Sequence, residues 1–260
     1  MLSLPVLVHA QKKELTPKQK KRLEARERVK RLLAKEEEGA LVYNKQGAFG
    51  IKLNTDGYGV FYEHGKYKTI TLTNLWWAEL GEHKHPKEER LAKGDSYGFI
   101  IGNPYIYGKI NNFYNFKLGV GQQRLIGGKG IRNGIATTLI YGGGAALAML
   151  KPYYLEVKDP LTSEVKNIRY NDDTTLFLDN NSILGASGFG KGFNKMSFVP
   201  GVHARAALRF DYGRLNEILS ALEIGVNAEY YTKGITQMAY NKDKKFFFNA
   251  YVALVFGSRK

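Results

Sequence analysis

The chain has 260 residues, with 39 Lys/Arg against 24 Asp/Glu and a formal net charge of +15. A chain of that length buries a sizeable core, and a hydrophobic content of 43% is too high for disorder. The absence of cysteine excludes disulfides, thiolate metal sites, cysteine nucleophiles and iron–sulfur clusters.

Met1–Ala10 is apolar and ends in Val8-His9-Ala10, a small-x-small pattern. Together these predict the remnant of a signal peptide over 1–10, with a short opening core strand as the alternative. Residues Gln11 to Glu38 then carry 11 Lys/Arg and 6 Asp/Glu. Thr16 suits an N-cap, Pro17 the first helical position and Gln19 the capping-box position, and Gly39 is a natural stop. Leu23, Val29, Leu32 and Leu33 make only a narrow apolar stripe, so the pattern predicts an exposed basic helix within 11–39. Lys20, Lys21, Arg22, Arg26, Arg28, Lys30 and Arg31 would carry its contact with a periplasmic protein or anionic lipid. The plainer reading is a solvated charged face.

From Gly47 the hydrophobic period changes from 3.6 to 2, and 17 Tyr, 14 Phe and 29 Gly suit strands. Phe49, Ile51 and Leu53 alternate with Lys52 and Asn54. Leu72, Trp76, Ala78 and Leu80 alternate with Thr73 and Glu79, and residues 97–107 read as another strand. Tyr114, Phe116, Leu118 and Val120 alternate with Asn115, Lys117, Gly119 and Gly121. Residues 133–150 carry no charge, but Gly142-Gly143-Gly144 in their middle argues for a strand over 134–157 and against a transmembrane helix. Three long two-sided strands follow, over 199–212, 217–231 and 245–257. The total is eight.

A soluble sandwich turns such apolar faces inward, whereas a membrane barrel turns them to lipid and holds its charges in the lumen. Strands of 13 to 15 residues can cross a bilayer when tilted. Trp76, Trp77, Tyr153, Tyr154, Tyr230 and Tyr231 near strand ends read as interfacial girdles. The expected fold is therefore all-β: a closed antiparallel transmembrane barrel of about eight strands over 40–260, preceded by one basic α-helix. On this count the connection 81–96 is an unusually long periplasmic one, and both termini are periplasmic.

The alternation, the export signal and the closing strand Phe246 to Phe256 resemble a small outer-membrane β-barrel protein. The short tail Gly257-Ser258-Arg259-Lys260 is similar to those of Bacteroidota members. The resemblance implies a location in the outer membrane and carries no catalytic motif.

Arg205 and Arg209 share a face with His203 and Asp211, and Glu223 and Glu229 face the same way on the next strand. Charges that cannot reach water must pair, so these six predict a luminal ion-pair network. Gly185 to Gly192 lacks both the Ser/Thr after Lys191 and the helix that a phosphate loop needs. His83, His85 and Glu88 fix no third metal ligand by spacing, and Asp172, Asp173, Asp179, Asn180 and Asn181 lack the spacing of a calcium loop. No cofactor, metal or small-molecule substrate is expected. The functional expectation is a structural, anchoring or accessory barrel. Its rivals are a lipid-modifying enzyme using His203, a narrow pore, and a soluble basic β protein that binds nucleic acid.

Overall fold

The computed structural model describes residues 44–69, 71–94, 100–128, 134–213 and 218–260, together with Glu24, Arg26 and Glu27. The signal-peptide reading lies outside the described residues. So does the basic helix, of which only those three exposed residues are described. In chain order the strands begin with β1 (Lys45–Asn54), β2 (Gly57–Thr69), β3 (Leu72–His83), β4 (Arg90–Gly94), β5 (Ile100–Ile106) and β6 (Asn111–Gly127). They continue with β7 (Ala136–Pro152), β8 (Tyr154–Lys158), β9 (Val165–Arg169), β10 (Ile183–Ala186), β11 (Ser197–Asp211), β12 (Ile218–Ile235) and β13 (Lys244–Arg259).

Eight of these close into an antiparallel barrel in the order β1-β13-β12-β11-β7-β6-β3-β2. The ring shuts where Phe49 of β1 stands opposite Phe256 of β13. Both β1 and β13 meet the same end of the barrel, where the Asn44 amide donates to the Lys260 carbonyl at 2.7 Å. The short connections β2–β3, β6–β7 and β11–β12 lie at that end too, and the long connections β3–β6 and β7–β11 lie at the other.

The strand count of eight arises differently from the sequence reading. Gly57–Thr69 is a wall strand that the alternation does not reveal, and the segment within 97–107 is not in the wall at all. In β2 the inward positions hold Phe61 between Gly59 and Glu63, and the outward ones include His64, so aromatic and polar residues sit on both faces. That blurs the period-2 signal. Ile100–Ile106 pairs instead with β4 as a separate two-stranded hairpin. With one strand added before it and one removed after it, the connection 84–110 moves to the long-loop end.

Alternation decides which way each side chain points. On β13, Phe248 is 63% exposed and faces outward, whereas Tyr251, Ala253 and Val255 are buried in the lumen. The same rule corrects the girdle reading. Of each adjacent pair only one can face out: Trp76 does and Trp77 is buried inside, and Tyr230 does while Tyr231 is buried inside. The indole of Trp77 explains the glycines of β6 and β7. A Cβ on Gly119 would overlap Trp77 ring atoms, and one on Gly142 would meet them at 2.9 Å. Residues 136–150 are thus uncharged because their inward positions give room to a large ring, and their outward positions are mostly apolar.

The long connections fold into a structure of their own. β10, β8 and β9 form a three-stranded sheet over a small core of Tyr105, Leu155, Val157, Ile168, Phe177 and Ile183. The acidic residues of this region serve its turns. Asp173 caps the short helix Thr174–Leu178 by accepting from the Leu176 amide, Asp172 pairs with Arg169, and Asp179 accepts from the Ser182 hydroxyl at 2.5 Å.

Candidate functional site

The inward positions of the wall strands carry most of the buried charge. Arg209 reaches Glu63 on β2 and Glu223 on β12, with Nη2 at 2.8 Å from Glu63 Oε2 and 2.5 Å from Glu223 Oε2. Arg205, one pleat along, lies 3.3 Å from Glu63 and 3.8 Å from Glu223. Its guanidinium also lies 4.6 Å from the Trp77 ring centroid and 5.2 Å from that of Phe61. Tyr251 donates its hydroxyl proton to Glu223 at 2.5 Å, and its ring face meets the Lys52 ammonium at 3.9 Å.

That ring joins the first cluster to a second. Lys52 and Lys117 each approach Glu79 at 2.8 Å, and Lys117 also binds Glu229 at 2.8 Å. Glu229 accepts from the Tyr231 hydroxyl at 2.7 Å and faces His83 at 3.3 Å, and the other His83 ring nitrogen meets Asp56 at 2.7 Å. Four carboxylates (Glu63, Glu79, Glu223, Glu229) therefore oppose four bases (Lys52, Lys117, Arg205, Arg209), all within 2% of full burial. Such ions hold their charge only when geometry and hydrogen bonds offset the lost hydration, and here each acid has at least two donors.

Both mouths of the lumen are filled. At the end holding the termini, Arg259 pairs with Asp211 at 2.6 Å and donates to Gln46 at 3.0 Å. The basic tail is thus the last pleat of β13, with Arg259 turned inward. At the other end the rings of Phe113, Tyr231 and Phe247 pack together at centroid distances of 5.2 to 5.9 Å. An eight-stranded barrel has room mainly for its own side chains, and this one uses it so.

Of the six residues predicted for the network, Arg205, Arg209 and Glu223 come together in one cluster and Glu229 belongs to the second. Asp211 sits apart, at the terminal mouth. His203 makes no ion pair among the described residues. Its Nδ1 meets the Ala145 carbonyl at 3.1 Å, its ring lies edge-on to Trp77, and its Nε2 has no hydrogen-bond partner. Among the described residues neither a hydroxyl nor a carboxylate is bonded to it. Lys52, Glu79 and Lys117 are legible as polar members of alternating strands, but the sequence does not assemble them. Glu63 is hidden with its unread strand. His83 and His85 diverge: His83 enters the lumen, and His85 stays in the outer connection, where burial first and the Lys244 charge next lower its pKa.

No protein-family model matches the chain, and no curated protein does. Among solved structures, the chain is similar to a major outer membrane protein from Thermus thermophilus, with 8% identity, a TM-score of 0.41, and 82% of this chain and 98% of that one covered. It is similar to Neisserial surface protein A, with 8% identity, a TM-score of 0.39, and 83% and 96% covered. It is also similar to the N-terminal β-barrel domain of Pseudomonas aeruginosa OprF, with 9% identity, a TM-score of 0.37, and 83% and 98% covered. These likenesses are of outline, and nothing about activity follows from them.

Proposed function

We propose that this chain is an integral outer-membrane β-barrel with a structural or anchoring role, closed to solutes. The observation that carries the reading is the inversion of polarity: paired charges inside, and an outward face whose middle band is uncharged, with its charges at the two rims. From Phe246 to Phe256 the outward positions of β13 are Phe246, Phe248, Ala250, Val252, Leu254 and Phe256. Ten residue steps at ~3.3 Å, tilted by ~40°, span roughly 25 Å, the height of the apolar band of such barrels. Aromatics flank the aliphatic middle, with Tyr58, Tyr230 and Phe248 towards the long connections and Phe49, Tyr62 and Trp76 towards the termini.

In this reading the short-turn end with both termini is periplasmic and the long connections face outward from the cell. The basic segment 11–39 then reaches a periplasmic protein or anionic headgroups through Lys20 to Arg31. The filled lumen disfavours the pore, and His203, which bonds a backbone carbonyl and no hydroxyl or carboxylate among the described residues, disfavours the enzyme. The outward apolar band disfavours a soluble protein that binds nucleic acid. Membrane fractionation with unboiled and boiled gel samples tests the proposal. Recovery in the soluble fraction with no mobility change on boiling refutes the barrel, and stepwise conductance in planar bilayers refutes its closure.

A further inference from the structure

A cavity of about 690 Å³ lies at the long-connection end, outside the lumen. Its floor is the outward face of the wall: Tyr58 of β2, Glu82 of β3, Tyr114 of β6 and Lys151 of β7. Its roof is the folded outer connections, including Arg90, Lys109, Tyr153, Phe189 and Lys191. The volume is that of a small-ligand site.

The charges in it do not balance. Lys84, Arg90, Lys109, Lys151 and Lys191 line it, against only Glu82 and Glu88. Both acids are engaged: Glu88 takes the Lys109 ammonium at 2.7 Å and the His85 amide at 3.1 Å, and Glu82 accepts the Tyr58 hydroxyl. Lys151 is the telling residue. It is 3% exposed, yet among the described residues it forms no ion pair. Its ammonium donates to the Phe189 carbonyl at 2.6 Å and lies 3.9 and 4.3 Å from the ring centroids of Phe189 and Phe193. Ring faces, one carbonyl and the field of Glu82, which forms no ion pair with it, offset only part of the lost hydration of this buried cation. Lys84, Arg90 and Lys191 likewise form no ion pair among the described residues.

We propose that this cavity binds the phosphate-bearing headgroup of an anionic lipid. A phosphate monoester brings up to two negative charges and oxygens that accept charge-assisted hydrogen bonds from Lys151, Arg90 and their neighbours. The lipid is favoured over free phosphate by position. The floor is continuous with the apolar outward face, so acyl chains run down the wall past Val60, Leu80 and Phe116 while the headgroup enters under the roof. Tyr58 and Tyr114 stand at the step between the two environments. The proposal rests on the membrane reading for its orientation.

The test uses the full chain folded in neutral detergent, with folding checked first by the mobility change on boiling. Native mass spectrometry then counts retained molecules of phosphatidic acid, with phosphatidylcholine and inorganic phosphate as the other probes. One phosphatidic acid should be retained per chain, with at least tenfold weaker retention in Lys151→Met and in Arg90→Gln. Lys68→Gln, at the opposite end, should match the parent. Equal retention by all variants, or none by the folded parent, overturns the site. Retention of inorganic phosphate as tightly as the lipid overturns the lipid as occupant. A chain with no mobility change on boiling fails the barrel reading instead, so the two failures are distinct.

Discussion

Arg209 is the residue on which the balance of the lumen turns. Its guanidinium lies between Glu63 and Glu223, with Nη2 at 2.8 and 2.5 Å from their oxygens. At an effective dielectric of about 20, opposite unit charges 2.8 Å apart attract by roughly 6 kcal/mol. That gain is set against the hydration lost by three buried ions. Arg209→Ala deletes the attraction to both acids but leaves the two carboxylates buried, with Arg205 at 3.3 and 3.8 Å the one other cation paired with them among the described residues, beside the neutral donors Gln46 and Tyr251. The expected net loss is about 3–5 kcal/mol, the cost of stranding a buried charge. The assay is urea unfolding in lipid vesicles, following the compact unboiled gel band. The triple variant Glu63→Gln, Arg209→Met, Glu223→Gln removes acids and base together and should recover at least half of the loss. A loss below about 1 kcal/mol in Arg209→Ala refutes the claim that the ion cluster holds the wall strands together. A triple variant as unstable as the single one assigns the loss to packing instead.

Val252→Lys, in the middle of the outward band, should cost about 2–4 kcal/mol in vesicles, whereas Thr232→Lys at the rim should cost about 0–1 kcal/mol by the same urea assay. Equal costs at both positions would remove the membrane band. Gly119→Val places side-chain carbon against the Trp77 ring and should destabilise by about 1–3 kcal/mol or more, with Trp77→Leu restoring part of the loss in the double variant; an additive double variant refutes the contact. In the β8–β9 hairpin, the Leu161 amide, the Lys166 ammonium and the Thr162 amide hold the Asp159 carboxyl down to about 2, from 3.8. A folded pKa below the unfolded one contributes stability above 3.8 that is lost as pH falls through about 2. The protection factors of the hairpin amides, which are exchange rates corrected for their intrinsic pH dependence, should therefore hold steady down to pH 3.8 and fall below it, and Asp159→Asn should abolish that dependence. Opening that sets in well above 3.8 would exclude Asp159 as its cause.

The strands that can be read from sequence are those whose two faces differ in kind. β11, β12 and β13 put apolar residues outside and Arg, Glu, Asn or small residues inside, and the faces assigned by alternation are the ones that the structure shows. β2 is illegible because its inward face needs Phe61 beside the Lys52 ammonium and its outward face tolerates His64 against Trp76. The hairpin strand β5 looks like a wall strand because local alternation says nothing about which partner it pairs with. The site follows the same division. Charges on legible strands can be found, whereas Glu63 cannot, and the role of Arg259 depends on knowing that β13 continues two pleats beyond Val255.

The charge inside and the charge on the whole chain answer different questions. The lumen sets four acids against four bases, with His83 beside Asp56 and Arg259 beside Asp211. It is close to neutral, as an enclosed low-dielectric space requires. The excess of +15 must therefore lie on the basic segment, the rims and the outer connections. Around the outward band, Lys66, Lys68 and Arg124 stand at one rim and Lys84, Lys151 and Lys233 at the other, with no charged side chain facing out between them on β11, β12 or β13. A barrel neutral within, uncharged across its waist and basic at both edges is electrostatically matched to two anionic headgroup layers. Among the described residues Lys151 forms no ion pair, and that is the feature the proposed headgroup would answer.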